Sequence, residues 1–325
     1  MKILALDGIA PEGVACLEKQ GFTVDEKPSQ TEGELIKIIP SYSGLLVRSG
    51  TKVTAKVLAA AEQLRVVGRA GVGVDNIDLE EATRRGIQVV NSPNGNTVAA
   101  AEHTMALLLA LARNVPCAHA QLRQGCWDRK SFYGVELAGK VLGILGLGKV
   151  GTAVARRAQA FEMKVVGYDP YLPRERVRKL GVELANLEEI LRQADFLTLH
   201  LPLTPETRSM LGPEELALMK PTAMVINVAR GGIVVEDALY QALVAGRLAG
   251  AALDVFAEEP ARENPLFNLD NVIVTPHLGA CTKEAQIRVA VEVAEDIAGI
   301  LRGQPPANPV NRPVHKAWDL KKVAN

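Results

Sequence analysis

Three short segments of this 325-residue chain carry the residues best suited to proton and hydride chemistry. His277 lies in Thr275-Pro-His-Leu-Gly-Ala280, Arg230 in Asn227-Val-Ala-Arg-Gly-Gly232, and Glu259 in Leu253-Asp-Val-Phe-Ala-Glu-Glu-Pro260. An imidazole titrates near neutrality and can exchange a proton in both directions. A guanidinium offers a planar fork of donors that can hold a carboxylate and polarise a neighbouring carbonyl. Such a base and such a cation, together with a hydride acceptor, would suit interconversion of an alcohol and a carbonyl beside an anionic group. Taken singly, the histidine could sit in a turn, the arginine could cap a strand and the acids could line a solvated loop. All three fall on loops that follow successive strand-like runs, where open parallel sheets bind their ligands. That coincidence favours a functional reading.

A hydride acceptor is also written into the chain. Lys140-Val-Leu-Gly-Ile-Leu-Gly-Leu-Gly-Lys-Val-Gly151 places Gly146, Gly148 and Gly151 in the order GxGxxG, after a strand and before a helix. Asp169 ends the next strand, 18 residues beyond Gly151. In that context Gly146 allows the tight turn, Gly148 lets the backbone approach a pyrophosphate, and Gly151 lets helix and strand pack. The helix N-terminus then offers unpaired N–H groups to the phosphates. A carboxylate at Asp169 can accept the adenosine-ribose hydroxyls and would repel a 2′-phosphate, so NAD is expected over NADP.

Positioning these groups takes an α/β framework. Ile3–Leu6, Phe22–Val24, Leu45–Val47, Leu64–Val67 and Ile87–Val90 read as one set of strands, with helices such as Thr54–Gln63 and Asp78–Arg85 between them. Val141–Leu145, Lys164–Tyr168, Phe196–Leu199, Ala223–Asn227, Gly250–Val255 and Val272–Thr275 read as a second set. Short continuous Val/Ile/Leu runs suit strands buried on both faces. Thr97–Asn114 reads as a helix that is apolar nearly all round, hence buried and partly covered by a second subunit. Thr282–Leu301 reads as a final amphipathic helix, followed by a Pro-rich tail from Gln304 to Pro313. His103 is read as a packed helix residue, His200 as a structural strand-end residue, and Cys281 is assigned no chemistry.

Composition limits the partners. Lys+Arg and Asp+Glu both number 37, so no net field recruits nucleic acid or anionic lipid. No apolar stretch is long enough to span a bilayer or to serve as a signal peptide. The four cysteines show neither a CxxC pair nor zinc spacing, which predicts reduced thiols in the cytoplasm and no metal site.

The three catalytic segments, with Val67-Gly-Arg-Ala-Gly-Val-Gly-Val-Asp-Asn76 and Asn91-Ser-Pro-Asn-Gly-Asn96, resemble the D-2-hydroxyacid dehydrogenase family, in the family's own order from Met1 to about Asn311. The resemblance implies two Rossmann-like or flavodoxin-like parallel-sheet domains with the active site in the cleft between them: 1–95 plus 281–325 for substrate, 96–280 for NAD. It implies His277 as acid/base with Glu259 paired to it, favouring the protonated imidazole, and Arg230 on the substrate carboxylate and carbonyl oxygen. Gly146, Gly148, Lys149, Val150, Gly151, Asp169, Leu201, Val228, Ala229, Arg230, Asp254, His277, Gly279 and Ala280 become the expected cofactor contacts, with Asp254 on the nicotinamide amide. Arg48, Asn96 and Arg129 become substrate contacts, and Gly71, Val72 and Gly73 offer N–H groups to the carboxylate. Two arginines suit a phosphorylated hydroxy acid, with Arg129 reaching across a homodimer or higher homo-oligomer. A reductase of unphosphorylated glyoxylate or hydroxypyruvate would use the same catalytic set, and an NAD-gated protein-binding module the same scaffold. Ending at Asn325, the chain is expected to lack the added regulatory domain that longer relatives carry.

Overall fold

The computed structural model describes residues 1–313 and shows two compact units, Met1–Asn96 with the chain from Ala280 onward, and Thr97–Gly279. Positions 314–325 of the segment expected to close the first lobe lie outside the described residues.

In the first unit five parallel strands, β1 (Lys2–Ala5), β2 (Thr23–Glu26), β3 (Gly44–Val47), β4 (Val66–Arg69) and β5 (Gln88–Asn91), take the order β2-β1-β3-β4-β5. Strand β3 is buried throughout, as its Gly-Leu-Leu-Val sequence demands. The edge strand β2 runs into Asp25 and Glu26, two residues beyond the apolar run that announced it, because a solvated edge tolerates charge. Its crossover helices carry explicit start signals. Thr31 and Glu34 form a reciprocal capping box, while Thr54 and Asp78 cap the helices that follow them. The helix Lys283–Leu301 buries Val289, Val293 and Ile297 against this sheet. Gly68 in β4 permits the approach: a Cβ there would lie 2.4 Å from Val293 Cγ1 and 2.6 Å from Ile297 Cδ1.

The Pro-rich segment after that helix is not a loose tail. Val90 and Pro309 form an antiparallel bridge, and Val310 N–H donates to Val89 O at 2.9 Å. The Asn311 side chain accepts from Val89 N–H at 2.7 Å and donates to Ile87 O at 3.0 Å. Residues 308–311 thereby pair with the outer edge of β5. Proline fits because its missing N–H is not asked to pair.

The second unit holds seven parallel strands in the order β12-β11-β10-β9-β6-β7-β8. They are β6 (Val141–Leu145), β7 (Lys164–Tyr168), β8 (Glu183–Leu184), β9 (Phe196–Leu199), β10 (Met224–Asn227), β11 (Gly250–Leu253) and β12 (Val272–Val274). Strand β8, two residues long, has no apolar run to reveal it. Chain order reverses between β6 and β9, which pair directly. The helix Thr97–Ala112 packs against the helix Lys149–Ala160 and against β11 within this unit. Its apolar character is therefore largely used internally, and its exposed positions reduce to Val98, Glu102 and Ala106 on one stripe. Among the described residues, no helix is long and apolar enough to cross a membrane.

His200 follows β9 and is partly buried, its Nε2 lying 3.1 Å from the Oγ1 of the fully buried Thr198. Burial disfavours the charged ring and pulls its pKa down to about 3. The unfolded chain would take up this proton near pH 6.5. Between pH 6.5 and about 3, protonation thus favours the unfolded state, and folded stability falls as pH falls through that window. At pH 5 the loss attributable to His200 is at most about 2 kcal/mol, because the residue is only partly buried. Urea midpoints of the wild type and His200→Gln at pH 7.5 and pH 5 test this. The variant should lose less stability on acidification, and equal losses would place the acid sensitivity elsewhere.

Candidate active site

The glycine loop has the geometry its spacing implies. Gly146 adopts φ 93°, and a Cβ there would lie 2.6 Å from His200 O. A Cβ on Gly151 would lie 2.0 Å from Gly146 O, so the helix Lys149–Ala160 can start this close to β6 only on a glycine. Gly148 is the N-cap of that helix and faces open space, with no atom within 4 Å of a would-be Cβ. That open approach, beside the first-turn amides of Lys149, Val150 and Gly151, fits a dinucleotide pyrophosphate. Leu201 closes the loop from the β9 side, its Cδ2 3.0 Å from the same hypothetical Cβ on Gly146.

Asp169 is fixed from both sides: Oδ2 accepts from Leu147 N–H at 2.9 Å and Oδ1 from Tyr171 N–H at 3.0 Å. Each oxygen keeps a second lone pair for a ribose hydroxyl. It borders a cavity of about 550 Å³, shared with Pro170, Leu172, Arg174 and Asn186, large enough for an adenosine.

At the other half of the sheet, the loops after β10, β11 and β12 bring the catalytic candidates together. After β10 the buried Asn227 accepts from Ala229 N–H at 3.0 Å and donates to Arg230 O at 2.9 Å, pinning the turn Val228–Arg230. Arg230 Nη1 donates to Ala229 O at 2.7 Å. A Cβ on Gly231 would lie 1.8 Å from Phe256 O, so this turn and the one after β11 are packed backbone to backbone.

The Glu259 carboxylate spans two partners. Oε1 accepts from Phe256 N–H at 3.1 Å and Oε2 lies 2.7 Å from His277 Nδ1. Burial works against its charge, but the hydrogen bond and charge of His277 and the Phe256 amide outweigh it and hold the carboxyl below its usual range. The acceptor is therefore an ionised carboxylate, Nδ1 carries the hydrogen, and Nε2 is the ring nitrogen presented for proton exchange. His277 itself adopts φ 56°, a left-handed conformation that a non-glycine residue enters at a cost.

Asp254, fully buried after β11, secures that conformation. It accepts from Thr275 Oγ1 at 2.6 Å, Leu278 N–H at 2.6 Å and Gly279 N–H at 2.8 Å. Burial would raise its pKa, yet His103, Thr275 and these amides together lower it, so the buried group stays charged. Gly279 is a glycine by necessity, since a Cβ would sit 2.9 Å from Val228 Cγ1 and 3.2 Å from Asp254 Oδ2. His103 Nε2 lies 3.2 Å from both Asp254 Oδ1 and Thr275 Oγ1. The sequence reading missed this contact; its only signal was an imidazole on a largely apolar helix.

The remaining candidates lie in the first unit, apart from Arg129. The Asp7 carboxylate accepts from Arg48 N–H at 2.8 Å and Thr51 N–H at 3.1 Å, and Asn76 donates to the carbonyls of Arg48 and Thr51 at 2.8 and 2.7 Å. That loop turns Arg48 towards a cavity of about 540 Å³ shared with Cys281, Thr282 and Lys283. Asn96 Oδ1 is buried without a hydrogen-bond partner among the described residues, which is costly unless a ligand supplies a donor. Of the three expected amide donors, Gly71 already gives its N–H to Arg69 O at 2.8 Å, leaving those of Val72 and Gly73 for a carboxylate. Ala280 uses its carbonyl to hold Gln286 Nε2 at 2.8 Å. Arg129 is exposed, in the second unit, just before the short 3-10 turn Lys130–Phe132.

Comparisons with known proteins agree with this geometry. Residues 105–279 match the family model described as D-isomer specific 2-hydroxyacid dehydrogenase, NAD binding domain. D-3-phosphoglycerate dehydrogenase of Methanocaldococcus jannaschii is 52% identical over 314 residues, which are 96% of this chain and 60% of that protein. The chain thus spans well under two thirds of the length of this curated relative. The TT0316 protein of Thermus thermophilus superposes with a TM-score of 0.88 at 37% identity, over 95% of this chain and 100% of that one. D-lactate dehydrogenase of Aquifex aeolicus, solved with NAD and lactic acid, gives 0.85 at 28% identity, over 96% and 99%. With its NAD-binding domain at 105–279, the chain belongs to the D-isomer specific 2-hydroxyacid dehydrogenase family.

Proposed function

We propose that this protein oxidises D-3-phosphoglycerate to 3-phosphohydroxypyruvate, reversibly, with NAD. The observation that carries the reading is the 2.7 Å Glu259–His277 pair, itself anchored on the Phe256 amide. In the oxidative direction His277 Nε2 takes the proton of the C2 hydroxyl while the C2 hydride leaves. NAD, when bound, supplies the acceptor for that hydride. Arg230 holds the substrate carboxylate and the C2 oxygen, favouring the carbonyl as it forms. Glu259 keeps Nδ1 protonated and offsets the charge that His277 gains. Val72 and Gly73 give N–H groups to the carboxylate, and Arg48 with Asn96 takes the phosphate-bearing end. The choice of a phosphorylated substrate is supported by Arg48 beside Lys283 and by the 48–52% identity to three relatives named D-3-phosphoglycerate dehydrogenase. That none of the four cysteines is in a disulfide among the described residues suits a reducing cytoplasm.

NADH oxidation with 3-phosphohydroxypyruvate, hydroxypyruvate and glyoxylate tests the substrate. The phosphorylated acid should give the highest kcat/KM, and His277→Ala should lower kcat by on the order of 10²-fold or more while NADH still binds. Preference for hydroxypyruvate or glyoxylate would make the protein a reductase of those acids. Intact NADH binding without turnover on any of them would favour a binding module.

A homodimer in which Arg129 serves the partner's substrate completes the proposal. Its support is the run of exposed apolar residues around Arg129: Leu122 and Val115 are each 53% exposed, Trp127 79% and Tyr133 83%. A surface of that kind is usually covered. Mixing Arg129→Ala subunits with His277→Ala subunits should partly restore activity on 3-phosphohydroxypyruvate, because each mixed dimer holds one site bearing neither lesion. No recovery despite proven subunit exchange would assign Arg129 to its own subunit or to no substrate.

A further inference from the structure

His103 is the one imidazole in the largely apolar helix Thr97–Ala112, and it points at the loop that carries His277. Its Nε2 lies 3.2 Å from Asp254 Oδ1 and 3.2 Å from Thr275 Oγ1. The single hydroxyl hydrogen of Thr275 is committed to Asp254 at 2.6 Å, so towards His103 this oxygen can only accept. The Asp254 carboxylate, held ionised, also only accepts. Both neighbours of Nε2 are acceptors, and Nε2 must therefore carry a hydrogen whatever the charge of the ring.

We infer that His103 is a positioning residue: its Nε2–H ties the Asp254–Thr275 pair to the helix and so fixes the turn on which His277 is presented. The inference rests on the proton-transfer role proposed above for His277. Three of the four donors to Asp254 (Thr275 Oγ1, Leu278 N and Gly279 N) belong to that one turn and would move with it. Asp254 itself ties the turn to β11, and His103 adds a second reference, to the helix Thr97–Ala112. His277 needs such a reference, since its backbone is held at φ 56° against its own preference. A helix residue serving only to pack would have no use for a polar ring here; leucine would fill the space.

The full-length protein with His103→Leu, His103→Gln or His103→Asn tests this. Glutamine places an N–H about where His Nε2 stands, whereas leucine offers no donor and asparagine is too short to reach. His103→Leu and His103→Asn should lower kcat on the best 2-keto acid by roughly tenfold to a hundredfold, the range for a lost hydrogen bond to a charged group. Affinity for NADH should change little. Amide hydrogen exchange at Leu278 and Gly279 should quicken in both variants, and His103→Gln should restore both readouts. Unchanged kcat and unchanged exchange in His103→Leu would overturn the inference. So would equal losses in the leucine and glutamine variants with a lowered unfolding midpoint, which would make the role one of packing. If His103→Leu does not fold, the asparagine–glutamine comparison decides. Full activity in His277→Ala would instead refute the proposed function, and exchange at Leu278 and Gly279 would still report on His103.

Discussion

The charged carboxylate of Asp254, fully buried at the end of β11, is the constraint from which the rest of the candidate site follows. An isolated buried charge would be prohibitive, and this one persists because it gathers donors from Thr275, Leu278, Gly279 and His103. The same bonds bend the chain after β12 so tightly that His277 enters the left-handed region. His277 N–H is drawn in too, donating to Asp254 O at 2.8 Å. Glu259 leaves the same strand's loop a few residues later and meets the ring from the other side at 2.7 Å. One strand end thus supplies both the carboxylate that shapes the histidine's backbone and the carboxylate that orients its ring.

Close backbone approach is the second recurring device. Gly146 and Gly151 bring the first turn of a helix against the end of β6, and Gly231 brings the turn after β10 against Phe256 O. At each of these positions a methyl group would overlap backbone rather than a side chain able to swing aside. Neighbouring loops in the second unit consequently cannot drift apart without exposing backbone packed against backbone. That rigidity is what a hydride-transfer site requires, because donor and acceptor carbons must be held in register.

Much of this was legible in the sequence, for identifiable reasons. Strands buried on both faces announce themselves as apolar runs, and β6, β7 and β9 have the same bounds in the structure as in the sequence reading. The GxGxxG loop was readable because its first and last glycines, Gly146 and Gly151, answer local steric demands. What stayed hidden depends on contacts between distant positions. Nothing near His103 in sequence shows that Asp254 and Thr275 are its partners, 151 and 172 residues away. Pairing of Pro309 with Val90 was equally invisible, because a Pro-rich segment carries no strand pattern of its own. The helix Thr97–Ala112 was correctly read as apolar, but its covering comes largely from its own unit, and a pattern of hydrophobicity does not say what provides the cover.

The zero net charge of the chain sharpens the question of how an anionic substrate and a pyrophosphate could be recognised at all. The answer lies in local arrangement rather than overall field. Acids at the ends of strands are used repeatedly to collect amides of the loop after a neighbouring strand. Asp7 does so for Arg48 and Thr51, Asp169 for Leu147, and Asp254 for Leu278 and Gly279. Each carboxylate consumes some backbone donors and fixes the loop that carries them; Asp169 does so next to the open helix start at Gly148. A buried or half-buried acid that organises a loop costs the protein a compensating set of hydrogen bonds, drawn here largely from backbone amides. Arg48, held through its backbone by Asp7 and Asn76, illustrates the result, since its loop is fixed without drawing on its guanidinium. Holding a loop by groups other than its cation is how a chain with as many acids as bases can keep Arg48 and Lys283 on one cavity without fixing the Arg48 loop through its guanidinium.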